Sequence, residues 1–432
     1  MENLPLKGIR ILDMTVVWAG PYGATLLADL GAEVIRVEST QVMMPITRGT
    51  MARPPQAMID NMPGFAGGFP DKLVGNHPWN RSPIFNSHGR NKLSMTVDLR
   101  VKRGREIFDE LLKVSDVFID NNVRETMDKL NINYESLSSV KNDIIMVRMP
   151  AYGDSGEYSK FRSLGIHMAD ALGHGLMRGY TDMDPSANSG EFVVDASAGT
   201  HAAVATIMAL IHRKRTGQGQ LIELPSAQAT FGYMSEAFME YTFSGISPSS
   251  LGNRHPRALQ GCYQCKGNDR WIVITIWNEN QWKIFIELIG NPDWANKPEF
   301  STHDKRVSNH DLIDSLITDW TTKQDHKSAM ELLQKHGVPA GAVLDAKDSS
   351  EDPHLASRNF YQEAFTEDTG TYKYGRSPFV LSNTPTNVRR GPVMLGQDNE
   401  YVYKTILGIS DKEYEELVSE GHIGSEFHPD IT

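Results

Sequence analysis

The sequence has 432 residues, with 43 Lys and Arg against 54 Asp and Glu, which gives a net charge of −11 at pH 7. Hydrophobic residues make up 40% and charged residues 22%, as in a globular protein of two or three domains and unlike a disordered or coiled-coil chain. The acidic balance argues against nucleic acid or an anionic membrane as the main partner, because both attract basic surfaces.

Cysteine content and the N-terminal residues indicate the cellular compartment that we expect for the protein. Two Cys residues exclude a disulfide scaffold and are typical of a reducing, intracellular environment. The first residues, from Met1 to Lys7, contain no apolar stretch of signal-peptide length. The run from Ala202 to Ile211 is about half as long as a membrane-spanning helix requires, so it is predicted to be a buried core helix. We therefore expect a cytoplasmic protein that does not associate with a membrane.

The first part of the chain alternates strand and helix patterns. Pro21 in the first turn of a helix and Gly31 just past its end follow the usual preference at helix termini. The alternation predicts an α/β fold with a mostly parallel, Rossmann-like sheet and helices on both faces. Strands are predicted at 9–13, 33–38, 92–99, 117–120 and 144–149, and helices at 21–30 and 101–114.

A long, Pro-rich connection separates the second and third predicted strands, at residues 39–90. Loops of this length are uncommon in compact domains and often form lids or binding loops. The alternative is a surface excursion that packs on the core. The sequence leaves both interpretations open.

The rest of the chain changes character after a second helical region. Helices are predicted at 196–216, 227–241 and 411–420, a strand at 220–224, and a hairpin at 262–266 and 271–277 that turns at Gly267. The pattern predicts a large α/β domain at 1–225, a helix and linker at 226–255, a small α+β domain at 256–345, and a return linker and C-terminal part at 346–432 that rejoins the large domain.

The common catalytic and metal-binding motifs are missing from the sequence. Cys262 and Cys265 form a CxxC pair, but a structural zinc site requires four ligands and a redox pair normally opens a helix. We therefore interpret both as structural cysteines. No dinucleotide fingerprint, P-loop, His-Glu-x-x-His or Gly-x-Ser-x-Gly motif occurs, and no metal site is expected. The segment 19–23 does lie where a strand leads into a helix, where backbone N–H groups can hold a phosphate or carboxylate.

Asp195 is the remaining candidate for chemistry. It follows an apolar run and precedes a long helix, a position typical of an N-cap, whose side chain accepts hydrogen bonds from the first turn. The same position can hold a carboxylate rigidly and present it to a substrate. The residue pattern alone leaves both roles open.

Several segments, in order and spacing, resemble class III CoA-transferases, the CaiB/BaiF family. The likeness runs over nearly the whole chain and implies CoA transfer, a Rossmann-like large domain with a smaller α+β domain, and an interlocked homodimer. The segments are Leu6 to Asp13, Ala19 to Pro21, Leu27 to Glu38, Gly89 to Leu99, Ser115 to Asn121, Arg213 to Leu224, Gly337 to Gly341 and Leu395 to Gly408.

The resemblance also implies site residues. Asp195, with Gly199 shortly after it, matches the family's catalytic Asp at the head of a long helix. Contacts to CoA are carried over to Val17, Trp18, Val97, Arg100, Asn121, Lys129 and Arg162. The three cations among them suit a ligand with several phosphate charges. No metal and no permanently bound cofactor are implied, since CoA and acyl-CoA are substrates.

Three departures from the family pattern bear on the substrate. Ser39 follows Glu38 where some members have an Arg, which puts one phosphate contact in doubt. Residues 252–256 are not a run of glycines, so formate or oxalate chemistry is not supported. Trp18 is bulky and would reshape the acyl pocket.

The family mechanism makes Asp195 a nucleophile that forms an aspartyl–acyl anhydride and then an aspartyl-CoA thioester, before CoA passes to an acceptor acid. Two alternatives remain. A 2-methylacyl-CoA racemase or isomerase of the same fold would need an acid–base pair, for which His167 lies close to the expected position. A non-catalytic subunit would bind CoA without reacting, which the presence of Asp195 argues against.

Overall fold

A computed structural model describes residues 4–62, 64–190 and 192–432. The chain divides into two compact units. The first comprises the described residues up to 172 together with 190–239 and 359–432, and the second comprises 173–189 and 240–358. This division assigns 173–189 to the second unit, although they fall inside the predicted 1–225 domain. The other predicted boundaries stay predictions.

A six-stranded parallel sheet forms the centre of the first unit and confirms the predicted α/β fold. Its order is β3-β2-β1-β4-β5-β6. The first three strands extend the sheet to one side of β1 and the last three extend it to the other, so the strand order reverses beside β1. In open sheets of this kind, ligands bind beyond the carboxyl ends of the strands at such a reversal. The strands are β1 (Arg10–Asp13), β2 (Glu33–Glu38), β3 (Leu93–Thr96), β4 (Val117–Asp120), β5 (Ile145–Arg148) and β6 (Gln220–Glu223).

Helices cover both faces of this sheet. Successive side chains of a strand point to opposite faces, and apolar residues on both faces must therefore be buried. Ile11 packs in the core beneath α1 (Ala19–Asp29) and α9 (Val193–Thr216), whereas Leu12 packs in the core beneath α5 (Lys102–Lys113) and α7 (Tyr134–Val140). The helices that begin in this unit are α1 (Ala19–Asp29), α2 (Gln56–Asn61), α3 (Pro78–Arg81), α4 (Pro83–His88), α5 (Lys102–Lys113), α6 (Arg124–Lys129), α7 (Tyr134–Val140), α8 (Gly165–Ala171), α9 (Val193–Thr216) and α10 (Ser235–Ser244).

The 39–90 connection contains α2, α3 and α4 and is anchored to the sheet. Arg48 is buried and donates two hydrogen bonds to Glu38 at the end of β2, at 2.6 and 2.8 Å. Its guanidinium also lies over the ring of Phe85, 3.8 Å from the centroid. These contacts favour the interpretation of this part as an excursion that packs on the core.

The second unit is built on an antiparallel sheet of three strands, β7 (Leu259–Gln264), β8 (Trp271–Ile276) and β9 (Ala340–Val343). Its core includes Ile274, Phe285 and Leu333. Cys265 is buried there, and burial raises the pKa of its thiol to about 11, so the CxxC pair has no thiolate character. The helices of this unit are α11 (Glu279–Leu288), α12 (His303–Ser308), α13 (His310–Thr321), α14 (His326–Lys335), α15 (Ala346–Ser350) and α16 (Pro353–Ser357).

The C-terminal part belongs to the first unit. It forms the hairpin β10 (Tyr361–Thr366) and β11 (Gly370–Gly375), and ends with α17 (Asp411–Ser419). Leu417 of α17 lies in the same core cluster as Phe108 of α5. The predicted helix at 227–241 is instead a 3-10 helix, Gln228–Met234, followed by α10.

Helix α9 is the one described helix that is long and apolar enough to cross a membrane. It packs along α1 in the first unit, and 56% of its most apolar window is buried. This is the behaviour of a core helix. Its outer side nevertheless exposes Val204, Met208 and Ile211.

Candidate active site

Asp195 lies in the first turn of α9, one turn deeper than the predicted N-cap position. Of the two roles that the sequence left open, the N-cap is therefore not the one observed: Phe192 precedes the helix and makes no side-chain cap. Val194 extends the helix toward its N-terminus because its side chain packs against Met168, Ala169 and Ala227. Asp195 itself is 7% exposed.

The Asp195 carboxylate is held where two helices begin. The backbone N–H of Asp195 itself and that of Ala19, at the start of α1, are close enough to stabilise its charge and lower its pKa. Burial raises the pKa of Asp195 to about 6, and the two donors offset only part of that rise. At neutral pH the group is mostly ionised and retains the higher basicity of a desolvated carboxylate, as a nucleophile requires.

Glycines allow the backbones around Asp195 to come close. A Cβ on Gly165, the first residue of α8, would lie 1.9 Å from the Asp195 Oδ2. A Cβ on Gly199 would lie 2.6 Å from the Ala19 carbonyl oxygen, and one on Gly23 would lie 2.8 Å from the Gly199 carbonyl oxygen. The close contact between α1 and α9, and therefore the position of Asp195, depends on these small residues.

The loop between β1 and α1 is held by amide side chains from the end of β4. Asn121 accepts a hydrogen bond from the Val16 N–H at 2.7 Å and donates to the Val16 carbonyl at 2.9 Å. Asn122 donates to the Met14 carbonyl at 2.8 Å. Val17, next in the loop, has φ of +62°, a left-handed conformation that costs a β-branched residue about 1–3 kcal/mol.

A cavity of about 380 Å³ opens beyond the carboxyl ends of β1 to β4. Three of the CoA contacts implied by the resemblance, Val97, Arg100 and Lys129, line it, as does Ser39. The remaining lining is mostly apolar: Met14, Val37, Glu38, Val42, Met44, Pro45, Asp98, Leu99, Asn122, Thr126, Met127 and Leu130.

The two cavity cations differ in their present partners. Arg100 donates to both carboxylate oxygens of Asp98, each at 2.8 Å, and these bonds lower the pKa of Asp98. Its side chain stays half-exposed. Lys129, at the end of α6, is exposed, and no acidic side chain in the described part of the chain lies within ion-pair distance of it.

The other implied contacts do not line the cavity. Val17 and Trp18 lie on the β1–α1 loop, which leads to Ala19 and therefore to Asp195. Asn121 uses its amide to hold that loop. Arg162 is exposed on the segment between β5 and α8.

His167 serves as a helix cap in this structure. Its Nδ1 accepts a hydrogen bond from the Leu164 N–H at 3.1 Å, at the start of α8, and the side chain is exposed. The residue of α8 that lies against Asp195 is Gly165, two positions earlier.

Sequence reasoning missed an aromatic cluster around Trp18, the residue before Ala19. The Trp18 ring stacks parallel to Phe192 at 5.6 Å between centroids and meets His88 edge-on at 4.3 Å, with Tyr22 also in contact. His88 is 5% exposed, and neither ring nitrogen has a hydrogen-bond partner. Burial, with added repulsion from Lys92 and Arg90, lowers the pKa of His88 to about 3, so the ring is neutral.

A buried charged network under α1 was also missed. Lys92 pairs with Asp13 at 3.0 Å and donates to the Pro21 carbonyl at 2.8 Å, and Arg36 pairs with Asp13 at 3.1 Å. Burial lowers the pKa of Lys92 to about 8, despite the attraction of Asp13. Through Pro21, the network fixes the first turn of α1 and so the Ala19 donor. Within the described ranges, no three His, Cys, Asp or Glu residues are grouped closely enough to hold a metal ion.

Comparisons with known proteins agree with this architecture. A profile of CoA-transferase family III matches residues 6–399. The chain is 28% identical to succinyl-CoA–D-citramalate CoA-transferase from Chloroflexus aurantiacus, over 95% of this chain and 96% of that protein. It is 30% identical to succinyl-CoA:mesaconate CoA-transferase from Haloarcula marismortui, over 83% and 85%.

A solved structure shows the same fold. The crystal structure of a CaiB/BaiF family protein from Brucella suis superposes with a TM-score of 0.81 at 26% identity, covering 94% of this chain and all of that one. Since the family profile spans most of the chain, this protein belongs to CoA-transferase family III, the CaiB/BaiF family, and is an enzyme of that class.

Proposed function

We propose that this enzyme moves CoA from an acyl-CoA thioester to a carboxylic acid acceptor through covalent intermediates on Asp195. The observation that carries the proposal is a single buried carboxylate, held by the Ala19 N–H at the meeting of two helix N-termini. Its pKa is raised to about 6, which still leaves it mostly ionised at neutral pH.

The proposed reaction begins with attack of an Asp195 carboxylate oxygen on the thioester carbonyl. The C–S bond breaks, CoA leaves as thiolate, and an aspartyl–acyl anhydride remains. The thiolate then attacks the Asp195 carbonyl, which releases the donor acid as a carboxylate and forms an aspartyl-CoA thioester. The acceptor carboxylate attacks that thioester and the same steps run in reverse, so that free Asp195 and a new acyl-CoA result.

The nucleotide part of CoA is proposed to occupy the cavity beyond β1 to β4. Arg100 and Lys129 supply charge for phosphate groups there, and the apolar lining suits the adenine ring. The pantetheine arm then follows the β1–α1 loop, past Val17 and Trp18, to Asp195. Arg162 stays a proposed contact that lies outside the cavity. Backbone N–H groups at the first turn of α1, near Gly20, are proposed to stabilise the oxyanion that forms during attack.

The racemase alternative has less support. A side chain at position 165 would collide with the Asp195 carboxylate, so the residue beside the nucleophile offers no acid or base. His167 is exposed and its Nδ1 is occupied by the Leu164 N–H. A 1,1-proton transfer needs two groups that flank the α-carbon, and neither Gly165 nor the capping His167 supplies the second group beside Asp195.

The assembly and location are also proposals. The apolar outer side of α9, with Val204, Met208 and Ile211, suits burial against a second copy of the chain, and we propose the family's interlocked homodimer. We propose a cytoplasmic location, in line with the two free cysteines.

A trapping experiment tests the proposed function. The protein is incubated with an acyl-CoA and then with hydroxylamine or borohydride, and the modified peptide is identified by mass spectrometry. We expect modification at Asp195, loss of activity, and no turnover in Asp195→Ala, which should still bind CoA. The variant Asp60→Ala, which removes an exposed carboxylate, serves as control. Turnover in Asp195→Ala, or α-proton exchange with solvent without modification, would refute the proposal.

A further inference from the structure

The imidazole of His88 has no hydrogen-bond partner in a protein interior where such partners are nearly universal. Its backbone carbonyl is engaged, because Thr25 donates to it at 2.5 Å, so the residue is fixed in place while its side chain is not satisfied. Leaving a buried polar group unpaired costs about 1–3 kcal/mol. A group of this kind in an enzyme points to a partner that arrives with the substrate.

The position of His88 indicates which part of the substrate it meets. The ring packs edge-on against Trp18, and Trp18 directly precedes Ala19, whose N–H holds Asp195. Trp18 in turn stacks on Phe192, which immediately precedes the helix that carries Asp195. The cluster thus borders the nucleophile on the side of α1 and α4, whereas the cavity with Arg100 and Lys129 lies beyond the strand ends. In the proposed reaction, the substrate atoms that come next to Asp195 are those of the acyl group.

The groups around His88 indicate which kind of substrate atom its ring can bind. The flanking rings of Trp18 and Tyr22 are apolar, and the nearby cations already have partners: Lys92 is bonded to Asp13, and Arg90 donates to Asp29 at 2.7 Å. A neutral imidazole offers one N–H donor, and the positive potential of the two cations favours an electron-rich acceptor.

Resting on the proposed function, we infer that His88 is a specificity-determining residue whose ring N–H binds an oxygen at the far end of the acyl group, away from the carbon that reacts with Asp195. The substrate class is a carboxylic acid with an apolar or aromatic skeleton and a second, distal oxygen function. A hydroxyl group and a second carboxylate both provide that acceptor oxygen.

The test uses pairs of acceptor acids that share a skeleton: phenylpropionate with its para-hydroxy derivative, and hexanoate with adipate. The para-hydroxy acid tests a distal hydroxyl group as the acceptor, and adipate tests a distal carboxylate. The variant His88→Leu removes both ring nitrogens at similar volume, and His88→Gln keeps an N–H donor. We expect His88→Leu to lower kcat/KM about 10- to 100-fold for the oxygen-bearing acid of at least one pair, with less than threefold change for its hydrocarbon partner. His88→Gln should recover part of the loss.

A second measurement needs no substrate. Since His88→Leu removes an unpaired polar group, the ligand-free variant should melt at the same temperature as the wild type or higher, which also shows that it folds. Equal losses for both members of every pair, no wild-type preference for either oxygen-bearing acid, or a lower melting temperature in His88→Leu would each overturn the inference. The proposed function fails separately, if no acid in the panel accepts CoA and Asp195 is not modified in the trapping experiment.

Discussion

Asp195 combines two requirements that oppose each other, because the burial that would exclude water from the proposed anhydride also destabilises the charged carboxylate. The pKa of Asp195 is raised from 3.8 to about 6, so the folded protein binds this proton more tightly than the unfolded chain. The stability gained from that proton is present at low pH and is lost as the pH rises through about 6. At neutral pH the ionised, buried Asp195 therefore lowers the stability of the folded protein.

The variant Asp195→Asn should make this disadvantage visible. The amide keeps an acceptor oxygen for the Ala19 N–H but carries no charge, so we expect it to be more stable than the wild type at pH 8 by about 2–3 kcal/mol. The difference should shrink toward zero at pH 4, where wild-type Asp195 is protonated. Urea unfolding of both proteins at the two pH values measures it. A difference that is independent of pH would contradict the raised pKa.

At the level of elements, the start of α8 can lie against Asp195, in the first turn of α9, only because α8 begins with a glycine. Gly165→Ala would place a methyl group 1.9 Å from the Asp195 Oδ2 as it now lies, so the carboxylate must rotate away from the Ala19 donor. We expect kcat to fall about 100-fold or more, as for other misplaced reacting groups, while CoA binding in the cavity changes little.

The matched control for this variant is Gly341→Ala, where a Cβ meets nothing within 4 Å. Steady-state kinetics and CoA titration of both variants separate a local displacement from general damage. Loss of CoA affinity together with kcat would show that Gly165 supports the fold rather than the nucleophile, and unchanged kcat would show that Asp195 is not where the reaction occurs.

The elements differed in how far the sequence could predict them. The strands Glu33–Glu38 and Val117–Asp120 were predicted to the residue, because a run of apolar, β-branched side chains buried on both faces has few alternatives. The start of α9 was missed by three residues, since Val193 and Val194 have the pattern of a strand. Val194 instead packs against α8 and Ala227 as part of the helix.

A residue of the site could be predicted when the neighbouring sequence marks it, and could not be predicted when its environment comes from residues far away in the chain. Asp195 stood out at a helix start, but its role as nucleophile came from the family resemblance and still awaits the trapping experiment. His88 carries no local signal: its burial results from contact with Trp18, 70 positions away in the chain, and pairing of Lys92 with Asp13 is equally remote. Contacts of this kind arise from topology, which a pattern of residue types does not encode.

For the whole molecule, the outer face of α9 is the feature that the single chain leaves unexplained. Val204, Met208 and Ile211 follow helical spacing and expose 52%, 65% and 47% of their surface. An exposed apolar stripe on a long, largely apolar helix is typical of an interface. If the proposed interlocked homodimer forms, threading of the two chains prevents the copies from separating without unfolding.

Sedimentation of the wild type should therefore give the mass of two chains, unchanged by dilution from micromolar to nanomolar protein, whereas a reversible dimer with a Kd in that range would dissociate. Val204→Glu places a charge on the stripe and should reduce the yield of folded dimer. Val114→Glu makes the same change at a similarly exposed valine after α5, on the opposite face of the sheet, and should leave the dimer intact. A wild-type monomer at all concentrations would remove the dimer proposal, and dissociation on dilution would remove the interlocking, because only separate, unthreaded chains can part while they remain folded.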